Sequence, residues 1–176
     1  AVEKFKQENR GELVVISNHN DVLSRLANIN IVISKGQEKS IAQTRSFASM
    51  YVAASAFCVR MAQRDELLSA MGGIPNLGRR LISKYESYAK EIGEQLNFDR
   101  LYLLGSGTRY GLAGEIALKI KEMSLTHSEA FHFLEFRHGP KSMVNKNTLV
   151  IGLLSQQNYT HEALVLNEIR RLRAHT

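Results

Sequence analysis

Residues 101–122, LYLLGSGTRYGLAGEIALKIKE, pass from a continuous apolar stretch through a glycine-bracketed turn into a helix with one apolar face. A strand apolar at every position is buried on both sides, which suits the inside of a parallel sheet. Gly105-Ser106-Gly107-Thr108 supplies a tight turn, and its backbone N–H groups and hydroxyls lie at a helix start, a favourable place for an anion or for sugar hydroxyls. Permission for the turn alone would also explain the glycines. The order of strand, turn and helix recurs elsewhere. ELVVIS (12–17) and INIVIS (29–34) read as strands joined by the polar turn SNHND and a short helix over 22–26. AFHFLEF (130–136) and TLVIGLLS (148–155) read as further strands, and 160–173 as a final helix, after which RRLRAHT shows no closing strand. Such alternation predicts an α/β chain with parallel sheets.

Two halves follow from the spacing of these elements. Residues 1–9 read as the tail of a helix stopped by Gly11, and 41–64 as a helix whose Phe47, Tyr51, Ala54 and Cys58 form an apolar stripe to pack on the first sheet. A charged helical stretch over 66–96 is interrupted at Gly72-Gly73-Ile74-Pro75, and the strand pattern restarts after Asn97. The expected organisation is therefore 1–65 as the latter part of one domain, 66–96 as connecting helices and 97–176 as the first part of a second domain, within a longer chain.

Composition narrows the class. Of 176 residues, 44% are hydrophobic and 23% charged, enough apolar content for a folded core and unlike disordered or disulfide-built chains. No apolar run approaches the ~20 residues that span a bilayer, so no membrane partner is expected. The opening AVEKFKQENRGE lacks the apolar segment of a secretory signal. The single cysteine, Cys58, sits among Ala56, Phe57 and Val59 and is expected to be a buried thiol in a reducing compartment, which makes the cytoplasm the expected location. Lys plus Arg is 23 against 17 Asp plus Glu, a net +6. The basic knots at Arg79-Arg80 and Arg170-Arg171-x-Arg173 come without any nucleic-acid motif, so nucleic acid is not expected, whereas a small phosphate-bearing molecule suits the charge.

Chemistry concentrates in two places. On the helix after the glycine turn, Glu115, Lys119 and Glu122 fall at i, i+4 and i+7 on one face, with Leu112, Ile116 and Ile120 on the core face. Facing a cleft, Glu122 could move a proton while Lys119 stabilises a developing oxyanion; facing water, the three form an ordinary surface ion pair. Residues 127–138, HSEAFHFLEFRH, gather three histidines among aromatics. Their spacing fits no common zinc arrangement, so no metal is expected. Arg137-His138-Gly139-Pro140 places an imidazole on a rigid turn, as an acid or base, or simply as a cap.

The run GSGTRYGLAGEIALKIKEMSLTHSEAFHFLEFRHGPKSMV resembles the second half of double sugar-isomerase (SIS) domain proteins, and GQEKSIAQTRSF (36–47) resembles the helix-entry segment of their first half. These proteins include ketose/aldose isomerases, amino-sugar-phosphate deaminases and the isomerase domain of glucosamine-6-phosphate synthase; FRHGPKS is closer to the isomerase and deaminase group. The resemblance implies a three-layer αβα, flavodoxin-like parallel sheet, here as parts of two tandem copies, with no cofactor. It implies a phosphosugar isomerase or deaminase that acts on a hexose or hexosamine 6-phosphate by proton transfer between C1 and C2. In it Glu122 is the base, Lys119 lies near the C2 oxygen, and His138 opens the sugar ring from a neighbouring subunit, so a homodimer with shared active sites is implied. Ile41, Gln43 and Ser106 are the implied sugar contacts, although Gln43 stands where the synthase has a small hydroxyl residue. The family's S-x-S-G-x-T phosphate loop is absent from the first half, and SQQNYT stands at the matching place in the second. Two alternatives remain: a noncatalytic phosphosugar-binding regulatory module, and the isomerase part of a glutamine–fructose-6-phosphate amidotransferase.

Overall fold

The structure is a computed structural model that describes residues 1–94 and 98–176; the end of the helical stretch expected over 66–96 lies outside the described residues. Two compact units divide the chain at Glu86/Ser87.

In the first unit, α1 (Val2–Gln7) precedes β1 (Val14–Ser17), α2 (Val22–Leu26) and β2 (Ile29–Val32). The polar turn works as the sequence predicts. Asp21 caps α2, its carboxylate accepting from the backbone N–H of Leu23 at 3.0 Å and Ser24 at 3.2 Å. α2 thus turns the chain back, and β2 pairs parallel to β1 with Val14 opposite Ile29 and Ser17 opposite Val32.

The next helix differs from expectation at its start and on its face. α3 spans Arg45–Met61 and not 41–64. Its first turn is held from outside by Glu38, whose carboxylate accepts from the backbone N–H of Ser46 at 2.9 Å and its hydroxyl at 2.8 Å. These bonds, the Ser46 backbone N–H first, hold the Glu38 carboxyl below its ordinary pKa. Cys58 is exposed and Tyr51 is 49% exposed, so the thiol is not buried and the stripe is only partly covered. The reason is length: a four-residue strand is ~13 Å long and a 17-residue helix ~25 Å, so a two-stranded sheet covers only part of α3. α4 (Asp65–Met71) follows, and the glycine pair separates it from α5 (Ile74–Glu94), which carries Pro75 in its first turn and crosses the division between the units.

In the second unit, β3 (Arg100–Gly105) is the central strand of the order β4-β3-β5, with both neighbours parallel to it. α6 (Thr108–Ser124) leads to β4 (His127–Phe131), and α7 (Phe133–His138) with a 3-10 turn at Pro140–Met143 leads to β5 (Thr148–Leu153) and α8 (Tyr159–Arg171). Side chains of β3 alternate between two apolar layers. Tyr102 and Leu104 pack with Phe133 and Phe136 of α7 and Val165 and Ile169 of α8. Leu103 packs with Ala113 and Ala117 of α6 on the other face. The unit is therefore three-layered, α6 on one face of the sheet and α7 with α8 on the other, as the fold class requires. Full burial of each large side chain contributes ~1.5–3 kcal/mol.

Two sequence expectations change here. Residues 133–136 are helical and not the end of a strand, because the Glu135 carboxylate accepts from the His132 N–H at 3.4 Å and Phe133 and Phe136, three apart, both turn into the core. The closing segment is also ordered into the sheet. His175 forms a parallel bridge to Leu149, with Val150 N–H donating to His175 O at 2.8 Å and His175 N–H to Thr148 O at 3.0 Å.

Candidate functional site

α6 is placed by small residues. A Cβ at Gly105 would overlap the backbone carbonyl of Arg109, so glycine is what lets β3 turn directly into the helix. Gly107 takes φ +56 at the N-cap. Ala113 and Ala117 let the helix lie close on the sheet, and Ser128 of β4 donates its hydroxyl to Ala117 O at 2.6 Å.

With that face against the strands, Glu115, Lys119 and Glu122 line a flank of the helix. Lys119 Nζ is 2.6 Å from Glu122 Oε2 and 3.6 Å from Glu115 Oε1. The side chains are 18% exposed at Lys119, 22% at Glu115 and 35% at Glu122, so the cluster is neither buried nor freely solvated. The Glu122 hydrogen bond is the main cause of a Lys119 pKa above the ordinary lysine value, and the charges of both carboxylates add to it. Lys119 is thus a fixed ammonium, able to donate to a developing oxyanion, beside a carboxylate that can accept a proton.

The other predicted residues lie elsewhere. His138 ends α7 and is exposed, on the face of the sheet opposite α6. Its turn is anchored to α8: the Glu168 carboxylate accepts from Arg137 Nη2 at 2.7 Å, Arg137 Nε at 3.2 Å and Lys141 Nζ at 2.8 Å. Lys141, then Arg137, hold Glu168 below its ordinary pKa. Ser106 is half-buried between β3 and α6, while Glu122 lies 14 residues past the first residue of that helix, Thr108, and so ~20 Å along it. It lines a separate cavity with His132 and Asn158. In the first unit, Ile41 is 99% exposed, and Gln43 accepts from the Ser46 hydroxyl at 2.9 Å in the segment before α3. The structure therefore joins Lys119 and Glu122 with Glu115, and sets Ser106 and His138 apart from them. Sequence reading missed Glu168 and Glu162, whose partners are a separate helix or a loop and leave no short-range signal.

A family model described as the SIS domain matches residues 96–175. The glutamine–fructose-6-phosphate aminotransferase (isomerizing) of Sulfolobus acidocaldarius is 35% identical over 154 residues, 87% of this chain and 26% of that protein. Among solved structures, the C-terminal domain of glucosamine-fructose-6-phosphate aminotransferase from Francisella tularensis superposes with a TM-score of 0.83 at 24% identity, over 98% of this chain and 53% of that one, a likeness of fold. Glucosamine-6-phosphate deaminase from Thermotoga maritima superposes with a TM-score of 0.72 at 27% identity, over 92% of this chain and 50% of that one. The chain spans about a quarter of the length of the curated relatives it matches and about half of these solved chains. Residues 96–175, a little under half of the chain, match the SIS domain.

Proposed function

We propose that this chain works as a sugar-phosphate isomerase or deaminase on a hexose or hexosamine 6-phosphate. The Lys119–Glu122 pair, held at 2.6 Å on a half-exposed flank, carries the reading. Glu122 takes the proton from C2 of the open-chain aldose and returns it to C1 while the C2 hydroxyl proton passes to the C1 oxygen, so no atom is gained or lost. Lys119 donates a hydrogen bond to the oxygen that carries negative charge in the enediolate between the two steps. In the deaminase variant the same transfer turns a 2-amino sugar into an imine, which water hydrolyses with release of ammonia. His138, on the opposite face of the sheet from Glu122, serves ring opening in the site of a second copy, which makes the working form a homodimer. Residues 1–65 supply sugar contacts through Ile41 and Gln43 as the latter part of a first SIS domain, with the cytoplasm as location.

A second reading is favoured by the 35% identity to the Sulfolobus aminotransferase: the chain is the isomerase part of such an enzyme, and ammonia enters instead of leaving. Incubation with glucosamine 6-phosphate, galactosamine 6-phosphate and fructose 6-phosphate, with and without ammonia, separates the readings. Ammonia release marks the deaminase, aldose–ketose interconversion the isomerase, and ammonia consumption the aminotransferase. Phosphosugar binding with no turnover by any route would replace all three with a regulatory module.

A further inference from the structure

At the C-terminal edge of the second unit's sheet, the chain leaves β3 for α6 on one face and leaves the neighbouring strand β5 for α8 on the other, so the two exits diverge. Crevices at such divergence points are where open α/β sheets hold ligands. A cavity of about 300 Å³ opens there. Phe133 and Leu134 give it an apolar wall, and Ser106, His132, Asn158 and His161 give it hydrogen-bonding groups. The His132 ring is stacked on Tyr110, with centroids 4.0 Å apart and planes at 21°, which fixes a flat face on the cavity. None of the lining residues among those described is a lysine or arginine.

The loop after β5 is occupied by the protein itself. Glu162, 2% exposed, also lines the cavity, and its carboxylate accepts from the Ser155 backbone N–H and, at 3.0 Å, from the Ser155 hydroxyl. The same hydroxyl accepts from the Asn158 N–H at 3.0 Å. A strand-to-helix loop of this kind offers such donors to an anion, and here an internal carboxylate takes them. A phosphate dianion would meet a like charge and lose those donors.

We infer that this crevice is a second small-molecule site, remote from Lys119 and Glu122, which takes an uncharged sugar ring and excludes phosphate because Glu162 fills the loop's anion position. The flat His132–Tyr110 pair and Phe133 suit the apolar face of a pyranose, and Ser106, Asn158 and His161 its hydroxyls. The inference does not rest on the isomerase reading, since it concerns binding at the other end of α6.

Imidazole and tyrosine ring signals in the NMR spectrum test it, followed during titration with D-glucose and, separately, inorganic phosphate at equal concentration and ionic strength. Glucose should shift His132, His161 and Tyr110 and leave His127 and His138 unmoved, and phosphate should leave all three in place. His161→Ala should weaken the glucose response of His132 by about tenfold, the loss of one or two hydrogen bonds. Glu162→Gln should bring the phosphate response that the unmodified protein lacks. If Glu162→Gln does not fold, the two titrations of the unmodified protein decide. No glucose shift at His132 and His161, or a phosphate shift equal to it, overturns the inference.

Discussion

Glu122 and His138 stand on helices packed against opposite faces of the β4-β3-β5 sheet. A single copy of this unit therefore holds them apart, and the proposed mechanism draws His138 from a second copy. Mixing two inactive variants tests this. Glu122→Gln and His138→Ala, combined in equal amounts and allowed to exchange subunits, should recover about a quarter of the unmodified activity, since half of the dimers are mixed and each has one intact site in two. No recovery after exchange has been verified would place His138 outside the shared site.

Lys119 joins two carboxylates, so its removal has a chemical and an electrostatic effect. Lys119→Met should lower turnover by ~10²–10³-fold, in the range of a lost oxyanion donor, with a smaller change in KM. The folded-state pKa of Lys119 is raised, so its stabilising effect is fully present below the ordinary lysine range and is lost as pH rises through the folded value. Thermal unfolding should therefore separate the two proteins at neutral pH, with the gap narrowing only in strong alkali.

Glu168 gives the opposite pH dependence. Its pKa is lowered by Lys141 and Arg137, so its contribution is present above the ordinary carboxylate range and disappears as pH falls through the depressed value. Glu168→Gln should unfold at lower temperature than the unmodified protein at neutral pH and match it in acid. Because this pair holds the turn that carries His138, the same variant should lower kcat more than it raises KM.

The β3–α6 junction separates two kinds of glycine. Gly105→Ala should destabilise by ~1–3 kcal/mol, since its Cβ has no room beside the Arg109 carbonyl. Gly111→Ala, inside α6 with nothing within 4 Å of the added Cβ, should stabilise by ~0.5–1 kcal/mol. Urea unfolding of the two variants measures both.

The fold was legible where short-range chemistry decides it. Asp21 announces α2, and the LYLLGSG run announces β3 and its turn, because each signal lies within a few residues of what it controls. The α6 face was legible from a spacing of four and three, and the structure joins those three side chains. Residues 130–136 misled because Phe131 and Phe133 alternate as in a strand; the alternation breaks over Leu134, Glu135 and Phe136, where α7 turns Phe136 into the core. The start of α3 depends on Glu38, seven and eight residues upstream of the groups it accepts from, and Glu168 acts across 27 to 31 residues. The exposure of Cys58 depends on how short the strands beneath α3 are, which the local pattern around the cysteine does not encode.

The most direct measurement is proton exchange at carbon. Fructose 6-phosphate is incubated with the protein in deuterium oxide, and its C1 proton signals are followed by NMR beside a Glu122→Gln sample shown to be folded. The account predicts deuterium at C1 with the unmodified protein and a ~10²–10⁴-fold slower uptake in the variant, as expected for loss of a general base. Equal uptake in both would remove Glu122 from the chemistry, and no uptake in either would contradict the isomerase reading itself.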